Sequence, residues 1–408
     1  MSKFDLSEEL LHECTCPACG HHVAVPFMDR QQQPLATLGW PGSEKEAQEM
    51  DELPLAFVRC VNCGHVYNRE FTYENVPYSE KPNLMFNRGN IWSRHLERVC
   101  ELMLDYLPSE PLVAEIGCGE GHLLRAMAER RPGGRYIGFD PNASMNTGGL
   151  FEARTELFMP ARHVTELSPN LVISRHVLEH LVNPLGFLQS MAFAASWAGV
   201  ETKVYIEVPC IDHAIKTGRT VDFYYEHNSH FTTESFTRML TRTSKSVEML
   251  LHSYNREVIS GLVRLGDSPS MVTYAKEATR FRIGSREAKE TVGRQLDELA
   301  ATGQRVAIWG GTGKAAAFIN NYAVDAKRFP LVVDSDPDKV GTHVPGQGQM
   351  IRSRDLLRDA PAEVLIIPMQ WRTRDILNEM EREQIQCPLV LIEHEGRLIN
   401  FEQDEHPY

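Results

Sequence analysis

Three groups of residues in this chain have types and spacings suited to chemistry. The first is Glu115-Ile-Gly117-Cys-Gly119-Glu-Gly121, which closes the apolar run beginning at Leu112. A short apolar run ending in alternating glycines reads as a buried parallel strand, a tight turn and a helix opening at His122. Without Cβ atoms, the turn lets a ligand come close to the backbone. Asp140 ends the next strand-like segment, where an acid can accept from ribose hydroxyls. A dinucleotide turn normally runs Gly-x-Gly-x-x-Gly, so that pyrophosphate meets the helix start. Here an acid stands in front and Glu120 lies inside, an order that suits a cationic, phosphate-free cofactor.

The second group is Tyr224-Tyr225-Glu226-His227, placed before a helix that Thr232 or Thr233 can cap. Histidine exchanges a proton near neutrality, glutamate can fix its tautomer, and tyrosine can donate to a developing oxyanion. The alternative is a hydrogen-bonded aromatic corner. The third group is a pair of knuckles, Cys16-Pro-Ala-Cys19-Gly and Cys60-Val-Asn-Cys63-Gly. Four thiolates close a tetrahedral site, which suits structural zinc and leaves no position open for catalysis. Cys14 is a spare thiol, and His12, His21, His22 and His65 rank below the cysteines as ligands.

The elements that must carry these residues follow from the pattern between them. Leu171-Val-Ile-Ser reads as a buried strand running into Arg175-His176-Val-Leu-Glu-His180. Ligands of open α/β sheets bind beyond the carboxyl ends of strands, so His176 is expected to face the cofactor. The His176 and His180 spacing could hold a metal, but no third ligand is evident and a catalytic metal is rejected. Ile91 opens an amphipathic helix running to about Tyr106, and Lys203-Val-Tyr-Ile-Glu-Val-Pro is a further strand. Beyond residue 255, a charged helical stretch from Ser285 to Ala300 leads to the strand Arg305-Val-Ala-Ile-Trp. Gly311-x-Gly313-x-x-Ala316 follows, with Asp334 downstream, a relaxed dinucleotide fingerprint that keeps a nicotinamide-dependent oxidoreductase as a competing reading. It is no P-loop, because Ala315 follows Lys314. Helix-start amides with Lys314 could hold a diphosphate.

At 408 residues the chain has room for two or three domains. The formal net charge of −13, with no basic block, argues against a nucleic-acid partner. No leader-like or membrane-length apolar run is present, and nine cysteines then point to a reducing, cytoplasmic setting with metal binding ahead of disulfides.

The Glu115 motif is similar to the first motif of class I S-adenosylmethionine (SAM) methyltransferases. That likeness puts Glu115 near the methionine end of the cofactor, Asp140 on the ribose and Gly117, Gly119 and Gly121 around it. Taken in order, the knuckles, the Glu115 motif and Tyr-x-Glu-His resemble the bacterial nucleotide-sugar C-methyltransferases over nearly the whole chain. The resemblance implies an α/β protein: a central class I methyltransferase, Rossmann-like sheet, a small zinc-binding N-terminal domain and a second Rossmann-like C-terminal domain. The expected boundaries are 1–80, 81–254 and 255–408. It implies His227 as general base with Tyr224 and Glu226 beside it, and it supplies an active-site tyrosine that maps to Tyr78. The family's C-terminal domain helps close over the sugar nucleotide, which gives Gly311, Gly313 and Lys314 a substrate-binding role. The family commonly has histidine at Tyr225 and tyrosine at His230, exchanges that bear on the substrate. The implied activity is C-methylation of the carbon α to the ketone of a nucleotide-linked keto-deoxysugar. An O- or N-methyltransferase of a non-sugar metabolite is the alternative. The expected partners are small molecules, with neither nucleic acid nor membrane.

Overall fold

The computed structural model describes residues 11–78, 89–142, 147–266 and 269–408. The chain divides into two compact units, Met1–Val272 and Thr273–Tyr408. Both are built on parallel-dominated sheets, so the α/β class expected from the sequence holds.

The first unit centres on a seven-stranded sheet. Its order is Ser244–Ser253, Val258–Leu265, Lys203–Pro209, Leu171–Arg175, Leu112–Ile116, Arg135–Phe139 and Glu152–Arg154. The last five run parallel and the first two join antiparallel. Leu112–Ile116 is almost wholly apolar because both its faces are covered. The helices Asn90–Asp105 and His122–Arg130 cover one face, with Met103, Leu123, Leu124 and Met127 fully buried. Pro184–Ala198 and Thr233–Thr243 cover the other. Each large side chain buried this way contributes about 1.5–3 kcal/mol. Thr232 caps its helix in a reciprocal box with Ser235, as the Thr and Ser spacing suggested.

Chain order reverses on either side of Leu112–Ile116, whose neighbours are Leu171–Arg175 and Arg135–Phe139. A crevice opens at such a switch point, which is what places the site.

The cysteine knuckles do not fold apart from this sheet. Their own five-stranded antiparallel sheet runs His12–Glu13, Val23–Pro26, Phe57–Cys60, Val66–Asn68 and finally Ser229–His230. That last strand comes from the segment directly after His227. The buried cysteines share one core cluster with the central sheet, and Arg242 donates to the Cys19 carbonyl. At the other end, Val258–Leu265 lies beyond the boundary expected at residue 255. It nevertheless pairs with Lys203–Pro209 over seven residue pairs, so the first unit runs on to Val272.

The second unit carries a six-stranded sheet in the order Ile351–Ser353, Leu331–Asp334, Val306–Trp309, Val364–Ile366, Leu389–His394 and Arg397–Asn400, with only the last strand antiparallel. Its switch point falls at Val306–Trp309, the strand before Gly310 and Gly311. Among the described residues, no helix is long and apolar enough to cross a membrane.

Candidate cofactor site and proton-transfer cluster

A cavity of about 250 Å³ lies at the switch point of the first unit. Glu115, Gly117, Gly119, Asp140, His176 and Tyr78 all line it, from three strand ends and the segment before residue 79. Gly121 does not. It starts the helix His122–Arg130 at φ +71°, and a Cβ there would run into the Phe151 ring, so packing alone requires glycine at this position. Gly117 has φ +64°, and a Cβ would meet Val177 at 2.7 Å. The Gly119 amide donates to Asp140 Oδ2 at 3.1 Å, and the Asn142 amide donates to Oδ1 at 2.8 Å. Each oxygen keeps lone-pair capacity for a ribose hydroxyl.

Glu115 is buried and its Oε2 has no hydrogen-bond partner. Burial pushes its pKa up to about 7, with Arg175 pulling down and Glu207 and Asp140 pushing up. An unpartnered carboxylate oxygen in a cavity wall costs free energy unless a ligand meets it. A cationic ligand such as SAM fits that residue, and glycines that keep Cβ atoms out of the turn fit its close approach.

Below the cavity lies a charged cluster that the sequence reading did not assemble. Glu207 is fully buried and receives His95 Nε2 at 2.8 Å, the Tyr205 hydroxyl at 2.9 Å and Arg175 Nε at 3.1 Å. Burial alone would raise its pKa, but Arg175, His176 and His95 hold it well below the usual carboxylate range. His176 stands between Glu207 (3.2 Å) and Glu179 (3.4 Å). Burial opposes its charge, yet those two carboxylates carry its pKa up to about 9. Its backbone sits at φ +53°, unusual for a residue with a Cβ, and its amide donates to the Glu207 carbonyl at 2.9 Å. The signal for Glu207 was a lone acid inside the apolar run Lys203–Pro209.

The Tyr-x-Glu-His residues do not line the cavity themselves; His180 and Tyr78 link them to it. The Tyr78 hydroxyl donates to the Glu226 carbonyl at 2.9 Å and lies 2.9 Å from His180 Nδ1. His180 Nδ1 is 2.7 Å from the same carbonyl. A carbonyl only accepts, so His180 Nδ1 carries a proton. The His180 ring packs edge-on against His227 at 4.8 Å. His227 Nε2 and the Tyr224 hydroxyl are 2.8 Å apart. Burial, then the charges of His180, His230 and His176, push the His227 pKa well below its ordinary value, which leaves a neutral imidazole able to take a proton. Burial also raises the Tyr78 and Tyr224 hydroxyls, which stay protonated as donors.

Glu226 is placed differently from the sequence expectation. Its carboxylate accepts from the amides of Ala36, Thr37 and Leu38 at 3.1, 2.6 and 3.0 Å, rather than turning to His227. The carboxylate beside the histidines is Glu179, buried, with no hydrogen bond at either oxygen and within 4.8 Å of ring nitrogens of His180 and His227. His180 and Glu179 carry no role of their own in the sequence expectation, although they stand in the segment around His176 that is expected to face the cofactor. Tyr225 is a buried anchor whose hydroxyl accepts from the Thr72 amide, and His230 packs on Phe57 and Phe223. Neither lines the cavity.

Cys16, Cys19, Cys60 and Cys63 are all buried, with ligand atoms within 4.8 Å of one another. The Cys16–Cys63 and Cys19–Cys60 sulfurs are 3.7 Å apart. A tetrahedron with ~2.3 Å metal–sulfur bonds has edges of about 3.8 Å, so the donor set fits such a centre. In the second unit, Gly313 and Lys314 are exposed at a helix start, with the Lys314 ammonium over the Trp371 ring at 5.5 Å. The Gly311 amide is already taken by Asp334, at 3.3 Å.

Residues 89–243 match a methyltransferase domain, and residues 269–388 match a C-methyltransferase C-terminal domain. A malonyl-[acyl-carrier protein] O-methyltransferase of Magnetococcus marinus is 29% identical over 118 residues. That match covers 27% of this chain and 44% of the relative, less than half of its length. Among solved structures, the N-methyltransferase NodS of Bradyrhizobium japonicum, in complex with S-adenosyl-L-homocysteine, is 12% identical. It matches 47% of this chain and 95% of its own, with TM-score 0.33. Magnesium protoporphyrin IX methyltransferase of Synechocystis, with the same molecule bound, is 15% identical over 47% and 91%, with TM-score 0.32.

Proposed function

We propose that this chain, whose two matched domains are those of a SAM-dependent methyltransferase, methylates a carbon acid, the carbon α to the ketone of a nucleotide-linked keto-deoxysugar. The observation that carries the reading is His227, neutral and partly buried, hydrogen-bonded to Tyr224 and packed on His180, which lines the cofactor cavity. The match of residues 269–388 to a C-methyltransferase domain supports carbon as the acceptor.

A proton next to a ketone leaves only when a base takes it and the enolate oxygen is stabilised. His227 takes the proton, and its electron pair stays on the substrate as the enolate. Tyr224, or Tyr78 once its hydroxyl turns from the Glu226 carbonyl, donates a hydrogen bond to the enolate oxygen. The Glu179 carboxylate then lies close to the newly charged imidazolium. SAM, when bound, supplies an electrophilic methyl group on a sulfonium. Glu115, Gly117, Gly119 and Asp140 would hold it, and positioning of this kind supplies a large share of the barrier reduction. Cys16, Cys19, Cys60 and Cys63 would hold a zinc ion for structure alone. Lys314, with the helix-start amide of Gly313, offers a place for a diphosphate.

The test is methyl transfer from labelled SAM to keto-sugar nucleotides by the wild type and by His227→Asn. The substitution should lower turnover at least a thousand-fold while S-adenosylhomocysteine binding stays unchanged. A loss below about tenfold would favour a substrate that brings its own nucleophile, hence O- or N-methylation.

A further inference from the structure

We propose that Trp92 and Arg175 form the acid-binding half of an amino-acid subsite in the cavity, of which Glu115 is the amine-binding half. The inference rests on reading the cavity as a SAM site and assigns the groups that select the methionyl end of that cofactor.

Trp92 lies in the first turn of the helix Asn90–Asp105 and lines the cavity. It is 9% exposed, and its indole Nε1 is buried without a hydrogen-bond partner. Buried indole N–H groups usually find an acceptor, and this one, in the wall of a cavity, has none among the described residues. Arg175, the last residue of its strand, lines the same cavity and lies beneath the indole, 5.1 Å from the ring centroid. The ion pair of Arg175 with Glu207, at 3.0 Å, fixes the guanidinium there.

The cavity therefore presents an unsatisfied N–H beside a fixed cation, together with the unsatisfied carboxylate oxygen of Glu115. Those groups complement a carboxylate and an ammonium on one ligand. A bare nucleoside would leave both polar atoms unmet. The indole face over Arg175 also explains why a tryptophan stands here rather than another donor: one ring supplies the cation–π contact and the N–H.

The experiment is calorimetric titration with two probes. S-adenosylhomocysteine carries the amino-acid end, and 5′-methylthioadenosine lacks it. Trp92→Phe keeps the ring over Arg175 and removes only the N–H. It should weaken S-adenosylhomocysteine about ten- to a hundred-fold, the worth of one hydrogen bond to a charged group, and leave methylthioadenosine within about twofold. Trp92→His, which restores a ring N–H, should recover part of the discrimination. Equal losses for both probes in Trp92→Phe would make Trp92 a wall of the cavity only and overturn the assignment, as would an unchanged S-adenosylhomocysteine affinity. Wild-type protein that binds both probes equally would also overturn it while sparing the nucleoside site. Wild-type protein that binds neither would remove the cofactor reading and this inference together.

Discussion

At the scale of single residues, burial decides what each titratable group can do. Glu115 and Glu226 are both buried carboxylates, but Glu226 has three amide donors and Glu115 leaves an oxygen empty in a cavity wall. The first is an anchor and the second awaits a cation. With the Glu115 pKa near 7 in the free protein, a ligand ammonium must bind the ionised form. S-adenosylhomocysteine affinity should therefore rise as pH climbs from about 6 to 8 and level off above, by up to about tenfold per unit below 7. Titration at several pH values checks this, and Glu115→Gln should flatten the curve. Glu226→Ala leaves three amides without their acceptor and should cost about 1–3 kcal/mol in denaturant unfolding. A large loss of turnover without loss of stability would instead return Glu226 to the chemistry.

The elements explain why these residues meet. Each unit has a strand, a glycine turn and a helix, and in each the acid ending a neighbouring strand accepts a turn amide. Gly119 donates to Asp140 in the first unit and Gly311 to Asp334 in the second. The same device braces both turns, yet only the first has the unpartnered acid of Glu115 beside it. Gly117 shows how tight the arrangement is. Gly117→Ala adds a Cβ into Val177 at a φ that suits glycine, and it should weaken cofactor binding at least tenfold. Adding Val177→Ala relieves the steric part, so partial recovery in calorimetry is the expected sign of a local clash. No recovery would place the defect in the backbone conformation alone.

On the scale of the first unit, the cysteine knuckles and the histidine–tyrosine cluster are one construction. The strand Ser229–His230 completes the knuckle sheet two residues after His227, and Glu226 grips residues 36–38 of the excursion between the knuckles. Removing the proposed zinc should therefore abolish turnover even though no cysteine ligand lines the cavity. Chelator-treated protein, or Cys60→Ser, should show a lower melting temperature of the first unit and methyl transfer reduced at least a hundred-fold. The second unit should melt unchanged. Full activity in metal-free protein would refute the coupling.

Local pattern determined a great deal here. Alternating glycines after an apolar run, an acid closing the next strand and two Cys-x-x-Cys-Gly knuckles are short-range signals, because turn geometry and ligand spacing are set by neighbours in the chain. The central sheet, both glycine turns and the cysteine cluster could therefore be read directly. What tertiary structure decided was pairing across long separations. Glu226 beside His227 in sequence turns away to residues 36–38, whereas Glu179 comes close to the histidines. Trp92 settles over Arg175, and Val258–Leu265 joins the first sheet across an expected boundary. Those outcomes depend on which face of a strand or helix each side chain leaves by, and on what the rest of the core brings opposite it, neither of which a local spacing contains.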